Sequence, residues 1–213
     1  MDEQTVLSVL KELEELYPAA GAELNFTNPF ETVVATVLAA QCTDKRVNMV
    51  TKKLFADYPD AKAMARLTPE ELEPMIKECG LYHNKARSIV ALSRMLVEKY
   101  DGRVPDTREE LMQLPGVGRK TANVVLANAF GKPAFAVDTH VFRVSNRIGL
   151  AHADNVDKTE QQLMDAVPME RWSHTHHLLI WHGRRCCAAR KPACERCPIK
   201  ECEYRSRAEQ DAE

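Results

Sequence analysis

Four cysteines, Cys187, Cys194, Cys197 and Cys202, fall within 16 residues in the pattern Cys-x6-Cys-x2-Cys-x4-Cys. Thiolates are soft ligands. Four of them gathered this tightly in a reducing compartment signify a metal centre, zinc or an iron–sulfur cluster, rather than two disulfides. Adjacent Cys186 competes as first ligand. A second stretch with chemical content is Leu114-Pro115-Gly116-Val117-Gly118-Arg119-Lys120-Thr121-Ala122. Its proline and glycines make a tight turn whose backbone a ligand can approach, and the helix that follows offers unpaired N–H groups and a positive dipole end. That is a phosphate-sized anion site, or else an ordinary Pro-Gly turn before a helix. Nucleotide loops fit poorly. Lys120 follows Arg119 rather than glycine, and Thr121 stands where a dinucleotide fingerprint needs its third glycine. Asp138, just before Thr139-His140-Val141, is placed to cap a helix, and a capping carboxylate sits at a helix mouth where it can also do chemistry.

The elements that must position these residues are helices. Leu7, Leu10, Leu13 and Leu16 are spaced for one amphipathic face, as are Phe30, Val33, Val34, Val37 and Leu38, and Val137, Val141, Val144 and Ile148. Sustained period-2 alternation and Asn-Gly or Asp-Gly hairpins between strand runs are missing, so the expected fold is all-α. Breaks fall at Thr27-Asn28-Pro29, Thr68-Pro69, Gly102 to Pro105, Pro115-Gly116, Gly131-Lys132-Pro133 and Pro168, at intervals typical of packed helices. The 213 residues suit one large domain or two small ones, 45% are apolar, and no uncharged apolar run approaches the ~18 residues of a membrane span. Met1-Asp2-Glu3-Gln4 lacks the basic and apolar segments of a secretory signal, so a cytoplasmic chain with reduced thiols is expected.

A net charge of −2 argues against a nucleic-acid binder until its distribution is considered. Residues 115–150 carry a net +4 and residues 184–207 a net +5, which leaves −11 for the rest. Such a division gives one basic face if the two stretches lie together, or reflects helices that carry charge in blocks by chance. His174, His176, His177 and His182 lack a partnering carboxylate pattern and read as helix-surface and core residues, and Cys42 and Cys79 as small apolar ones.

Leu114 to Ala122 resembles the helix-hairpin-helix of DNA-repair glycosylases, and Val137-Asp138-Thr139-His140-Val141 resembles the aspartate motif that follows it in them. With Leu38-Ala39-Ala40-Gln41-Cys42-Thr43-Asp44, Gly80-Leu81-Tyr82 and the terminal cysteines, the chain is similar to the endonuclease III family from about Asn28 to Tyr204. The resemblance implies a six-helix domain with the hairpin at 22–132 and a helical iron–sulfur domain built from 1–21 and 133–213, with DNA across the cleft between them.

The resemblance also implies a bifunctional DNA glycosylase and abasic-site lyase of base excision repair, active on oxidised pyrimidines. Lys120 matches the nucleophile and Asp138 the carboxylate that receives a proton and stabilises charge at the sugar. An exposed lysine with a pKa near 10.4 is roughly a thousandfold too protonated to attack at neutral pH, so the helix start, Arg119 and a desolvated pocket are expected to favour the neutral amine. By position Gln41 and Leu81 match the residues that fill the gap left by an extruded base, although Gln41 could simply end a helix and Leu81 cap a core. Gly116, Gly118, Arg184, Arg190 and Lys191 would contact DNA, and Cys187, Cys194, Cys197 and Cys202 would hold a [4Fe–4S] cluster, with a last spacing one residue shorter than the family's usual x5. The expected partner is double-stranded DNA with damaged bases or abasic sites, bound by a monomer in a bacterial-type, nucleoid-associated setting. Relatives that remove adenine lack this lysine and carry an extra C-terminal domain, for which Arg205 to Glu213 would leave no room. A non-catalytic DNA-binding module would not need Lys120 paired with Asp138, and a glycosylase without lyase activity would use water and the aspartate alone.

Overall fold

The computed structural model describes residues 1–210, with side chains through Ser206. Asp211 to Glu213, the end of the tail expected to leave no room for an extra domain, lie outside them. Among the described residues there are twelve α-helices and no strand. They are α1 (Glu3–Leu16), α2 (Pro29–Leu38), α3 (Asp44–Asp57), α4 (Ala61–Met64), α5 (Pro69–Ile76), α6 (Tyr82–Tyr100), α7 (Arg108–Leu111), α8 (Arg119–Phe130), α9 (Thr139–Ile148), α10 (Val156–Ala166), α11 (Trp172–Arg185) and α12 (Glu203–Gln210). None of them is long and apolar enough to cross a membrane.

Two compact units result, Met1–Gly21 with Pro133–Glu213, and Ala22–Lys132. In the second unit most helices start on a capping side chain. Asn28 accepts from Glu31 N at 2.9 Å ahead of Pro29, and Thr68 and Glu71 form a reciprocal capping box ahead of Pro69. α2 is buried from Phe30 to Leu38, so it runs through the unit's interior rather than over it. α4 and α7 are single turns of four residues each, and the helix count of this unit, expected at six, depends on whether they are scored.

The other unit packs α1, α9 and α11 around Leu10, Leu13, Phe135, Val141, Val144, Leu178 and Leu179. Its first helix departs from the expected leucine stripe. Leu7 is 37% and Leu16 40% exposed, whereas Val6, Val9, Leu10 and Leu13 are buried. Successive steps of three residues fall about 60° short of a turn each, so Leu7 and Leu16 drift to opposite flanks, whereas the mixed steps of Val6, Val9, Leu10 and Leu13 hold one face. The valines of α9 keep to theirs.

His177 packs edge-on against His176 with ring centroids 4.9 Å apart, and burial, with nearby His174, pulls its pKa from 6.5 to about 4. The unfolded chain therefore binds a proton at His177 that the native chain refuses, so its contribution to stability is full above about pH 6.5 and falls as pH drops towards 4. Urea midpoints measured at pH 7 and pH 5 should differ less in His177→Gln than in the wild type, and an equal difference in both would remove His177 from the account.

Candidate functional site

In the unit of residues 22–132 the hairpin is built on contact with its own helices. Gly116 adopts φ +80°, and a Cβ there would stand 2.7 Å from Ser88 Cβ on α6 and 3.8 Å from Val37 on α2. Only glycine permits both the left-handed backbone and that approach. Gly118 differs. Its φ is −91° and an added Cβ would meet nothing within 4 Å, so nothing in the chain itself demands glycine there. It is the N-cap of α8, which begins without a side-chain cap, and its neighbours Arg119 and Lys120 are exposed on the first turn. Lys120 is thus not held in the desolvated pocket expected of it. An exposed first-turn position keeps its water until something covers it.

Three non-glycine residues among those described have positive φ: Gln41 (+54°), Leu81 (+48°) and Asp101 (+52°). Asp101 ends α6, where the left-handed conformation is ordinary. Gln41 lies exposed between α2 and α3. Leu81 is the uncapped first residue before α6, with 54% of its surface in solvent. Neither ends its helix or caps a core, the two bland roles open to them.

In the other unit Asp138 caps α9. Its Oδ1 accepts from both His140 N and Val141 N at 2.8 Å, so the cap occupies one carboxylate oxygen and Oδ2 takes no part in it. The side chain is half-buried. Two basic residues further along α9 turn inward. Arg143 donates to the carbonyls of Gly183 (3.0 Å) and Cys187 (3.1 Å), and Arg147 to those of Ala188 and Ala189 (both 2.8 Å). Gly183 allows this closeness, since a Cβ there would meet His140 Nδ1 at 3.0 Å and Arg143 at 3.1 Å. Lys132 is likewise engaged, with the carbonyl (2.6 Å) and carboxylate (2.7 Å) of Asp106. Lys132, Arg143 and Arg147 therefore satisfy acceptors within the chain, which narrows the expected basic face. Arg184, Arg190 and Lys191 are exposed.

Cys187, Cys194, Cys197 and Cys202 line one cavity, together with Cys186 and His182. The short last spacing still brings Cys202 to this cavity, and Ile199, between Cys197 and Cys202, is fully buried. The residue set suits a soft metal or cluster. Cys186 and Cys187 differ in what they meet. Cys186 donates its thiol proton to Ala193 O (3.6 Å), and burial, with Cys197, pushes it up to about 12, whereas the sulfur of Cys187 accepts from Arg147 at 3.5 Å. Ligand atoms of His182, Cys186 and Cys197 lie within 4.8 Å of one another, a grouping the cysteine spacing alone does not single out. His182 is almost wholly buried, with Nδ1 3.1 Å from Tyr17 Oη and Nε2 3.7 Å from Cys197 Sγ, and burial lowers its pKa to about 4. The neutral ring has one N–H and one acceptor nitrogen, so it can donate to one of these two partners and accept from the other. Its place in the sequence, one turn before the cysteines, was the available signal.

Residues 34–169 match the HhH-GPD superfamily of base excision DNA repair proteins. Endonuclease III of Bacillus subtilis strain 168 is 52% identical over 191 residues, 89% of this chain and 87% of that protein, and endonuclease III of Escherichia coli K12 is 46% identical over 98% of this chain and 100% of that one. The chain belongs to the endonuclease III family. It is accordingly an enzyme, a DNA glycosylase with AP lyase activity. Among solved structures of endonuclease III, a trapped covalent intermediate with DNA, an estranged-adenine complex, superposes with a TM-score of 0.92 at 48% identity, over 98% of this chain and 99% of that one. A thermostable thymine-DNA glycosylase, 26% identical, superposes at 0.86 over 96% of this chain and 98% of that one.

The two hairpin glycines should separate stability from binding. Gly116→Ala forces a left-handed alanine against Ser88 and should cost roughly 1–3 kcal/mol, read from urea unfolding. Gly118→Ala should stay within about 0.5 kcal/mol of wild type yet weaken DNA binding, and the hairpin assignment fails if the two variants unfold alike.

Proposed function

We propose that the protein is a bifunctional enzyme of base excision repair that removes oxidised pyrimidines from duplex DNA through a Lys120 imine and then cleaves the strand. The observation that carries this reading is the exposed Lys120 amine on the first turn of uncapped α8, directly behind Gly116 and Gly118. Amides of that turn are free of side-chain caps and would grip a phosphate, which sets the sugar of the damaged nucleotide beside the amine.

Lys120 must lose a proton before it attacks. Covering it with DNA removes water and disfavours its charged form, and Arg119 beside it acts in the same direction. The nitrogen then bonds to C1′, the C1′–N bond to the base breaks, and the base departs with that electron pair and a proton. Loss of a further proton from the nitrogen and opening of the sugar leave an imine. The imine acidifies C2′–H, so when a base takes that proton the C2′–H electron pair becomes the second bond between C2′ and C3′, and the 3′ phosphate leaves with the C3′–O pair. Asp138 would take the amine's proton and balance positive charge at the sugar through the oxygen its cap leaves unused.

Extrusion of the base costs a few kcal/mol of stacking, least for a damaged base, and leaves a gap. Gln41 and Leu81, exposed on left-handed turns, would fill it. Arg184, Arg190 and Lys191 would hold flanking phosphates. Cys187, Cys194, Cys197 and Cys202 would hold a [4Fe–4S] cluster, which when bound supplies a rigid scaffold for that basic loop; the N–H donated to the Cys187 sulfur supports Cys187 over Cys186 as first ligand. The enzyme would act as a monomer on the DNA of a cytoplasmic nucleoid.

Borohydride should trap a covalent adduct between the protein and abasic or thymine-glycol duplexes in EDTA. Lys120→Ala should abolish the adduct with the far-ultraviolet spectrum unchanged, and an unaltered trapping yield would refute the nucleophile. Purified protein should be brown with broad visible absorption, lost in Cys202→Ser; colourless protein with stoichiometric zinc would overturn the cluster.

A further inference from the structure

Lys85 lies on the first turn of α6 and is only 5% exposed, an unusual place for a lysine. Its ammonium donates to Leu38 O and to Cys79 O, both at 2.8 Å. Leu38 is the last residue of α2, and Cys79 is the last of the single 3-10 turn Lys77–Cys79. Two residues beyond Cys79 comes Leu81, and three beyond Leu38 comes Gln41. One buried cation thus ties together the roots of the two turns that carry the exposed left-handed residues.

A left-handed conformation is unfavourable for a non-glycine residue and persists only where surrounding structure enforces it. Here the enforcing contact is a charge-assisted fork at the C-terminal end of α2, where the helix dipole also favours a cation. Side-chain caps start the other α-helices of this unit except α8, whereas α6, directly after Leu81, starts without one. Cys42 and Cys79 lie beside the ammonium, and the two carbonyls are its acceptors among the bonds described.

We propose that Lys85 is a positioning residue for base extrusion, which holds Gln41 and Leu81 in the projecting conformation from which both enter the helix together. This rests on the reading of Gln41 and Leu81 as gap-filling residues. Lys85 touches neither DNA nor the reacting atoms. Without it the two carbonyls lose their shared donor, each turn relaxes independently, and recognition of a lesion suffers while contact with undamaged DNA, made elsewhere, does not.

The test uses full-length holoprotein and a duplex with 2-aminopurine opposite a tetrahydrofuran abasic analogue, which brightens when its neighbours are pushed apart. Lys85→Met should cut the fluorescence rise of the saturated complex at least threefold and weaken binding to this duplex about tenfold, with affinity for undamaged duplex within twofold. Lys85→Gln, which keeps a donor for one carbonyl, should fall between, and decides by the same criteria if Lys85→Met does not fold. Gln41→Ala with Leu81→Ala provides the reference. If that pair keeps the full rise, the gap-filling reading itself is wrong; if the pair loses it and Lys85→Met keeps it, the role given to Lys85 is overturned. In the Gln41→Ala, Leu81→Ala background, Lys85→Met should cause no further loss of lesion binding, whereas a residue that merely stabilises the fold would subtract the same factor again.

Discussion

The carbonyl oxygens of Gly183, Cys187, Ala188 and Ala189 lie where α11 gives out into the cysteine loop, and the guanidinium groups of Arg143 and Arg147 are what satisfy them. Helix ends leave such acceptors orphaned, and each buried one left unmade costs about 1–3 kcal/mol. Both arginines belong to α9, whose first amides are held by Asp138. One ten-residue helix therefore carries the acidic group at its mouth and the anchors of the cysteine loop along its side. Asp138 is accurately placed because the helix behind it cannot shift without breaking those bonds, and the close contact at Gly183 removes the remaining slack.

The unit with Lys120 follows another rule. Asn28, Thr43, Asp60, Thr68 and Thr107 start five of its helices with a side-chain hydrogen bond, which closes those ends to outside anions. α6 and α8 are the exceptions. They begin at Leu81 and Gly118, the residues assigned to the gap and the phosphate. A side-chain cap is thus absent at the two starts that carry the proposed gap-filling leucine and the proposed phosphate site, and the hairpin glycines divide the labour: Gly116 serves the fold and Gly118 leaves space.

Much of this was legible in sequence because the signals are local. Asn28-Pro29 and Thr68-Pro69 mark helix starts through chemistry confined to four residues, and the cysteine spacing speaks for itself. Non-local facts were not. A lysine or arginine in a helix reads as solvated charge, so the inward turn of Lys85, Arg143 and Arg147 is invisible until the carbonyls of distant segments arrive beside them. Leu7 and Leu16 failed as core for the converse reason, since three-residue spacing alone does not keep to one face. His182 was set aside with its neighbours because only the fold brings Tyr17 and Cys197 to its two nitrogens.

Charge arithmetic has to be corrected by the same facts. With Lys132, Arg143 and Arg147 bound within the chain, the cations left exposed in residues 115–150 are Arg119 and Lys120, and those at the cysteine loop include Arg190 and Lys191. Non-specific affinity for DNA grows with the number of phosphates neutralised, so a protein of net charge −2 with few exposed cations at its proposed site would hold undamaged duplex weakly. Weak general binding suits an enzyme that must sample many sites and stop at few. On the proposed reading, selectivity would then fall to the step that charge does not govern, the exchange of a poorly stacked base for Gln41 and Leu81, and that step would depend on two turns whose left-handed backbone the chain sustains by itself.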